Sequence, residues 1–383
     1  MNILLFSWRD PKHPLAGGAE QVVHEHCKGW IKAGHGVTLF SSLIEGLEGK
    51  EVLDGVEIIR GGYQYLGVQW VGFWFYLRNH HRFDLVIDQF HGLPFFTPLY
   101  VRKPRLALIQ ETARKVWFLN PLPWPLNWII GALGYITEPL VFWIYKSTLF
   151  MTGSKSAKKD VSKMGIPLEN ITVVPHGVIL PKLKTKNLKP KTKNSVRTVV
   201  FLGVLSKDKG IEDAIKCFKI LDKQSFLLRN KKGVWNFWVI GRPETPEYSQ
   251  EIEALIKRLR FKNKIKFWGF VSLEKKFELL SRAHVLVNPS VHEGWGLVNI
   301  EANAMGTPVV AYSNAGLVDS VKDGKSGILV KENTPENLAL EIENLQEDAQ
   351  KYQKLKKGAI AWSKNFTWSK SRKLSLKLIE SLT

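Results

Sequence analysis

Residues 292–308 read HEGWGLVNIEANAMGTP, and from this stretch the organisation of the chain can be worked outward. Glu293 precedes a glycine-punctuated turn, Gly294-Trp295-Gly296. The pattern then predicts a short helix that carries Glu301 about one turn in and stops near Gly306, before Pro308. Upstream, the apolar run HVLVNPS reads as a buried strand, so the turn lies at the carboxyl end of a strand. In open α/β sheets ligands bind at such ends. A helix N-terminus offers backbone N–H groups and partial positive charge to a phosphate. Glu293 and Glu301 can accept hydrogen bonds from hydroxyls on either side of it, which suits a ribose, a diphosphate and a sugar in series.

Strands and helices alternate on both sides of this stretch. TVVFLGVL, NFWVIG, IKFWGF, VLVNPS, PVVAY and GILV read as strands, with IEDAIKCFKILDK, EYSQEIEALIKRLR and LEKKFELLSRA as helices between them. In the first half NILLFSW, VTLFSS, VEIIR, DLVID and RLALIQ are strands. AEQVVHEHCKGWIKA is a helix stopped at Gly34. Such βαβ alternation implies parallel sheets covered by helices on both faces. At 383 residues the chain suits two domains, and two α/β halves place their ligand cleft between them. The expected boundaries are a first domain over 1–181, a linker over 182–196, a second domain over 197–366 and a last helix in 367–383 that is able to pack back on the first domain.

The net charge of +20 is concentrated in two places. Lys182, Lys184, Lys186, Lys189, Lys191, Lys193 and Arg197 form one run without an acidic residue, and a second group extends from Lys351 to Lys377. Solvated faces and an anionic membrane surface are the two readings of this charge. No nucleic-acid module signature is present, so nucleic acid is not an expected partner. Cys27 and Cys217 are far apart and near no histidine cluster, which excludes a disulfide framework and a zinc site and fits a cytoplasmic setting. MNILLFSWRD lacks the features of a secretion signal and reads as a first strand.

Residues 117–145 are crowded with Trp, Phe, Tyr and Ile, and Glu138 and Lys115 and Lys146 are the nearest charges. Pro121, Pro123, Pro125 and Pro139 are expected to break the stretch, leaving 126–138 as the longest proline-free piece, too short to span a bilayer. It is either a helix pair buried under a loop or an interfacial segment at headgroup level.

Taken in order, the motifs resemble the retaining glycosyltransferases of family 4, which have the α/β GT-B architecture of two Rossmann-like, doubly wound domains facing each other across a cleft. The resemblance runs through Gly17-Gly18-Ala19-Glu20, GSKSAKKD at 153–160, VVPHGV at 173–178, FLGVLSKDKG at 201–210 and VIGR at 239–242. It continues with WGFVS at 268–272, the E-x7-E pair Glu293 and Glu301, GTPVVA and DGKSGILV. It implies that the second domain holds a nucleotide-sugar donor and the first an acceptor. By position, Glu301 binds ribose hydroxyls, while Glu293 and the backbone from Gly294 through Trp295, Gly296, Leu297 and Val298 contacts the sugar and diphosphate. Gly17 and Gly18 match the glycine loop beside the β-phosphate, and Lys209 the phosphate lysine.

Two positions depart from the family pattern. Val204 stands where an arginine is usual, and Lys207 or Arg242 is either its substitute or a surface charge. Gln110 stands where many relatives have histidine; it keeps a hydrogen-bond donor and acceptor but carries no charge. His91, Glu111 and Arg114 are candidates for the acceptor side. The resemblance implies a metal-independent, cofactor-free enzyme that moves a sugar with retention to a lipid-linked or cell-surface glycan. Together with the charge, this implies a cytoplasmic protein at the inner face of the membrane. The alternative is a weakened relative that binds nucleotide sugar or glycan without turnover.

Overall fold

The computed structural model describes residues 1–64, 67–90, 92–179, 196–227, 234–261 and 264–382. Most of the basic run at 182–196, and His91, lie outside them. The chain forms two compact units. One comprises Met1–Trp117, Ala132–Gly177 and Thr367–Thr383, the other Phe118–Gly131 and Val178–Phe366.

In the first unit β1 (Asn2–Phe6), β2 (Gly36–Ser41), β3 (Lys50–Leu53), β4 (Val56–Arg60), β5 (Leu85–Phe90), β6 (Arg105–Ile109), β7 (Leu149–Thr152) and β8 (Ile171–Val173) make one sheet. Its order is β3-β4-β2-β1-β5-β6-β7-β8, parallel throughout except for the β3–β4 pair. Strand order reverses between β1 and β5. Helices α1 (Gly18–Lys32), α2 (Gly67–Asn79), α3 (Leu126–Ile144, counted with this unit from Ala132) and α4 (Lys155–Lys163) make the crossovers. Alternation along the strands divides the core. Ile3, Leu5, Leu85 and Ile87 pack with Val23, Cys27 and Trp30 of α1. Leu4, Phe6 and Val86 pack with Val68 and Tyr76 of α2, and Phe90, Ala107 and Ile109 with Phe142 and Val161. Thus α2, α3 and α4 share one face of the sheet, opposite α1.

The second unit has β9 (Val196–Leu202), β10 (Val234–Ile240), β11 (Ile265–Gly269), β12 (Val285–Asn288), β13 (Val309–Ala311) and β14 (Gly327–Leu329). They form an all-parallel sheet in the order β11-β10-β9-β12-β13-β14, and the reversal falls between β9 and β12. The helices are α5 (Ile211–Leu227), α6 (Pro246–Leu259), α7 (Leu273–Arg282), α8 (Leu297–Ala304), α9 (Leu317–Ser320), α10 (Pro335–Glu347) and α11 (Ala349–Ser363). A last helix, α12 (Trp368–Glu380), is capped by Thr367 and packs on α1. There Trp30 Nε1 donates to Ser375 Oγ, and Arg372 Nε donates to the Glu25 carbonyl.

The aromatic stretch differs from expectation. Pro139 does not end the helix; α3 continues through it to Ile144. The interruption is tolerated because tertiary contacts hold the helix beside the proline. The Glu138 carboxylate accepts from the Ala113 and Arg114 amides at 2.7 and 2.8 Å and from Trp117 Nε1 at 3.3 Å, while Thr137 Oγ1 donates to the Leu133 carbonyl. Nor is α3 buried under a loop, since one side of it is solvent-exposed. Among the described residues no helix is long and apolar enough to cross a membrane.

Candidate functional site

In the second unit the chain leaves β9 through Gly203 and Val204 into the loop that carries Lys207, Asp208 and Lys209, then enters α5. It leaves β12 through Pro289 and Ser290 into the loop that carries Glu293, then enters α8. These are the two loops at the point where strand order reverses, the ligand-binding position of an open α/β sheet. Lys209 Nζ lies 3.2 Å from Glu293 Oε1 and 3.3 Å from Asp208 Oδ2. The Val291 amide donates to the Asp208 carbonyl at 2.8 Å, so the loops are also joined through backbone.

A buried polar network fixes the Glu293 loop. Ser290 Oγ donates to Glu293 Oε1 at 3.0 Å, and the Ser290 amide donates to Asn288 Oδ1 at 3.2 Å. Asn288 Nδ2 donates to Asn299 Oδ1, and Asn299 Nδ2 to Ser320 Oγ, each at 2.9 Å. The strand end, α8 and α9 are thereby tied together in a setting where unpaired polar groups are costly. Two glycines complete the packing. A Cβ at Gly210 (φ +70) would meet the Pro289 carbonyl oxygen at 2.3 Å, and one at Gly316 (φ +75) the Glu293 carbonyl oxygen at 2.1 Å. Backbone approaches this close admit no side chain.

The turn 294–296 leads into α8 with Gly296 as its cap at φ +78. Leu297 and Val298 form the first turn, whose amide end carries partial positive charge. The Trp295 side chain is buried against Phe366, with ring centroids 4.9 Å apart, so the turn is anchored within its own unit. Gly294 is buried beside it. Glu301 is also buried, and Lys276 Nζ of α7 lies 2.5 Å from its Oε1. The Glu301 carboxylate is thus engaged by a cation through one of its oxygens, a partner that the sequence did not indicate.

Lys207 precedes Lys209 in the same loop, and Arg242 lies at the end of the neighbouring strand β10. Lys207 Nζ is 3.6 Å from Glu251 and sits over the Tyr248 ring of α6. Arg242 follows β10, its carbonyl accepts from the Leu205 amide, and its guanidinium lies over Phe270. Glu244, unnoticed in the sequence, stands nearby. Burial, then the charge of Asp208, raise its carboxyl above the usual range against the pull of Lys209.

The remaining candidates belong to the first unit. Gly17 caps α1 after the β1 loop, and its amide donates to Glu20 Oε2 at 2.7 Å, while Glu20 Oε1 accepts from Arg9 Nε at 3.0 Å. Gly18 opens the helix. Gln110 follows β6, and His176, missed in the sequence, follows β8; His176 Nε2 lies 2.6 Å from Gln110 Oε1. Burial lowers the His176 pKa to about 3, so a neutral imidazole donates to the amide oxygen and the Gln110 NH2 remains the donor it can offer a ligand. Glu111 is half-buried beside it. Arg114 packs toward α3: its amide is held by Glu138 and its guanidinium lies over Tyr135. His91 lies outside the described residues. Among the described residues no group of three or more His, Cys, Asp or Glu is arranged to hold a metal ion.

Residues 16–180 match the family model described as Glycosyltransferase Family 4, and residues 182–362 the one described as Glycosyl transferases group 1. The chain is 32% identical over 231 residues to an uncharacterised glycosyltransferase of Methanocaldococcus jannaschii, covering 57% of this chain and 54% of that protein, so it spans about half the relative's length. Its structure is similar to that of sucrose-phosphate synthase from Thermosynechococcus elongatus, with a TM-score of 0.81 at 19% identity over 100% of this chain and 98% of the other. It is also similar to Anabaena HepE in complex with UDP-glucose, with a TM-score of 0.75 at 19% identity over 100% of both chains.

Proposed function

The chain belongs to the group 1, family 4 glycosyltransferases of the GT-B fold, and we propose that it moves a sugar with retention from a nucleotide-sugar donor to an acceptor hydroxyl of a lipid-linked or cell-surface glycan. The observation that carries the reading is the Lys209–Glu293 pair at the strand-order reversal of the second unit. A cation and a hydroxyl-binding carboxylate lie there beside the amide end of α8.

Cleavage of the anomeric bond builds negative charge on the departing nucleoside diphosphate. Lys209 and the α8 amides are the groups that would stabilise it, and Glu293 holds sugar hydroxyls. Glu301 binds the ribose, sharing its carboxylate with Lys276. The family resemblance assigns Gly17 and Gly18 to the β-phosphate and Gln110 to the sugar. The acceptor hydroxyl attacks from the leaving-group face and passes its proton to the phosphate, with no metal or other cofactor required. The acceptor lies against the first unit, where Glu111, Arg114 and His91 are candidates, and the chain works as a peripheral protein at the cytoplasmic face of the membrane.

Incubation with radiolabelled UDP-, GDP- and ADP-sugars, with and without EDTA, tests the reading; the UDP-glucose complex of HepE makes UDP-glucose the first donor to try. Sugar transfer with the anomeric configuration kept supports it. The structure also favours a second reading at one point, because Val204 is exposed and Lys207 is engaged by Glu251 and Tyr248. Tight nucleotide-sugar binding without turnover under every condition would make the chain a weakened, binding relative.

A further inference from the structure

Two helices on one face of the first sheet carry apolar stripes that are solvent-exposed among the described residues. On α2, Val68, Gly72 and Tyr76 face the sheet, and Trp70 (63% exposed) and Trp74 stand on the opposite side. On α3, Glu138 and Phe142 face inward, and Ile136 (68% exposed), Leu140 (63%) and Trp143 (72%) form the outer stripe at helical spacing. An exposed surface of this kind marks a contact with another phase or molecule.

The charge around the stripes identifies the occupant. From residue 61 to 159 the acidic residues are Asp84, Asp88, Glu111 and Glu138. Asp88 and Glu138 are buried and hydrogen-bonded inward, and neither α2 nor α3 presents an exposed carboxylate. Exposed Arg78 ends α2, exposed Arg102 and Lys103 precede β6, and exposed Lys146 precedes β7. Since β5, β6 and β7 are neighbours, this places basic residues along the strand-start end of the sheet, where exposed Asp84, before β5, accepts from the Asn2 amide. Exposed tryptophans together with these basic residues match the headgroup and acyl boundary of an anionic bilayer. A helix whose inner stripe is locked on the sheet lies on a membrane and does not enter it as a span.

We propose that the α2–α3 face of the first unit is the surface on which this chain lies on an anionic lipid bilayer, the docking being carried by these helices and not by the lysine-rich segments. The proposal rests on the peripheral-membrane part of the function given above.

Flotation of the full chain with phosphatidylcholine vesicles, with and without phosphatidylglycerol, tests it. The unaltered protein is expected to float with the anionic vesicles. Ile136→Glu/Trp143→Glu should reduce vesicle partitioning at least about tenfold, given the steep dependence of interfacial binding on buried apolar area. Lys354→Glu/Lys357→Glu on α11 should leave it near that of the unaltered chain. Equal flotation of the Ile136/Trp143 variant overturns the surface and leaves peripheral attachment standing; no flotation of the unaltered chain overturns both. Equal flotation on neutral vesicles overturns the anionic assignment. A dimer by light scattering that the same variant dissolves, without flotation, makes the occupant a second copy. A probe independent of the variant's folding is available because Cys27 and Cys217 are both buried. An environment-sensitive fluorophore on Ile136→Cys should shift to the blue with anionic vesicles, and one on Lys354→Cys should not. No shift at position 136 overturns the proposal.

Discussion

Lys209 Nζ sits between two carboxylates, 3.2 Å from Glu293 Oε1 and 3.3 Å from Asp208 Oδ2, at the loops that follow β9 and β12. The three side chains are only partly exposed, and the lysine is already placed where an anion would take over one of its partners. Replacing Lys209 by Met should lower kcat for sugar transfer roughly ten- to a hundredfold, the equivalent of about 1.5–3 kcal/mol for one charge-assisted contact made in the transition state. Lys209→Arg should recover part of it. Steady-state kinetics decide the matter: an unchanged kcat in the Met variant would remove the lysine from the leaving group.

Glu301 has two consequences to separate. Glu301→Ala should weaken nucleoside diphosphate binding about tenfold through loss of a hydroxyl contact. It should also lower stability by about 1–3 kcal/mol, because Lys276 loses its partner at a partly buried position. Calorimetric titration and a thermal melt read the two effects. Loss of stability with undiminished nucleotide affinity would make Glu301 a structural residue only.

Gly316 supports Glu293 from behind. Gly316→Ala places a methyl 2.1 Å from the Glu293 carbonyl oxygen, and backbone must move. Gly324→Ala has a similar positive φ, +66, with no neighbour within 4 Å, so it carries the conformational strain without the collision. Both should be destabilised by their positive-φ backbone, by about 1 kcal/mol or more each, with Gly316 (ψ −42) further from any conformation an alanine adopts. Transfer by the folded protein should fall sharply only at position 316. Equal residual activities in the two variants would show that the Glu293 loop does not depend on this contact.

Acid should unfold the first unit through its buried imidazoles. His26 and His176 both have pKa values lowered to about 3, for His26 by burial first, then by His176 and Arg372, and for His176 by burial. Below the ordinary histidine value of about 6.5 the unfolded chain takes up protons that the folded unit refuses. Stability is therefore complete above that pH and lost on descending towards 3, at about 1.4 kcal/mol per pH unit for each histidine. Denaturant melts of His26→Phe should show a shallower loss between pH 6 and 4 than the unaltered chain. An identical slope would mean that His26 is already accessible to protons.

Much of the fold was legible in the residues because parallel strands buried on both faces are written as continuous apolar runs. NILLF, VVFL and VLVN needed no neighbour to be recognised. The positions of Lys209 and Glu293 after such runs were legible for the same reason. In α2, GVQWVGFWFYLRN has no polar side from which a helical period can be read, so it passed unnoticed. Pro139 misled because a proline normally ends a helix, whereas here the contacts of Glu138 and Thr137 keep α3 intact on both sides of it. Local periodicity and turn chemistry were enough to read most of the parallel strands, the loops at their ends and the residue types gathered there, but not the antiparallel edge strand β3 or the short strands β7 and β8. Packing fixed which carboxylate holds which cation, that His176 turns the Gln110 amide, that Gly210 and Gly316 clear room for backbone, and that one side of α2 and α3 faces outward. Those relations join positions tens of residues apart, and the close packing that sets them exists only once the sheets have formed.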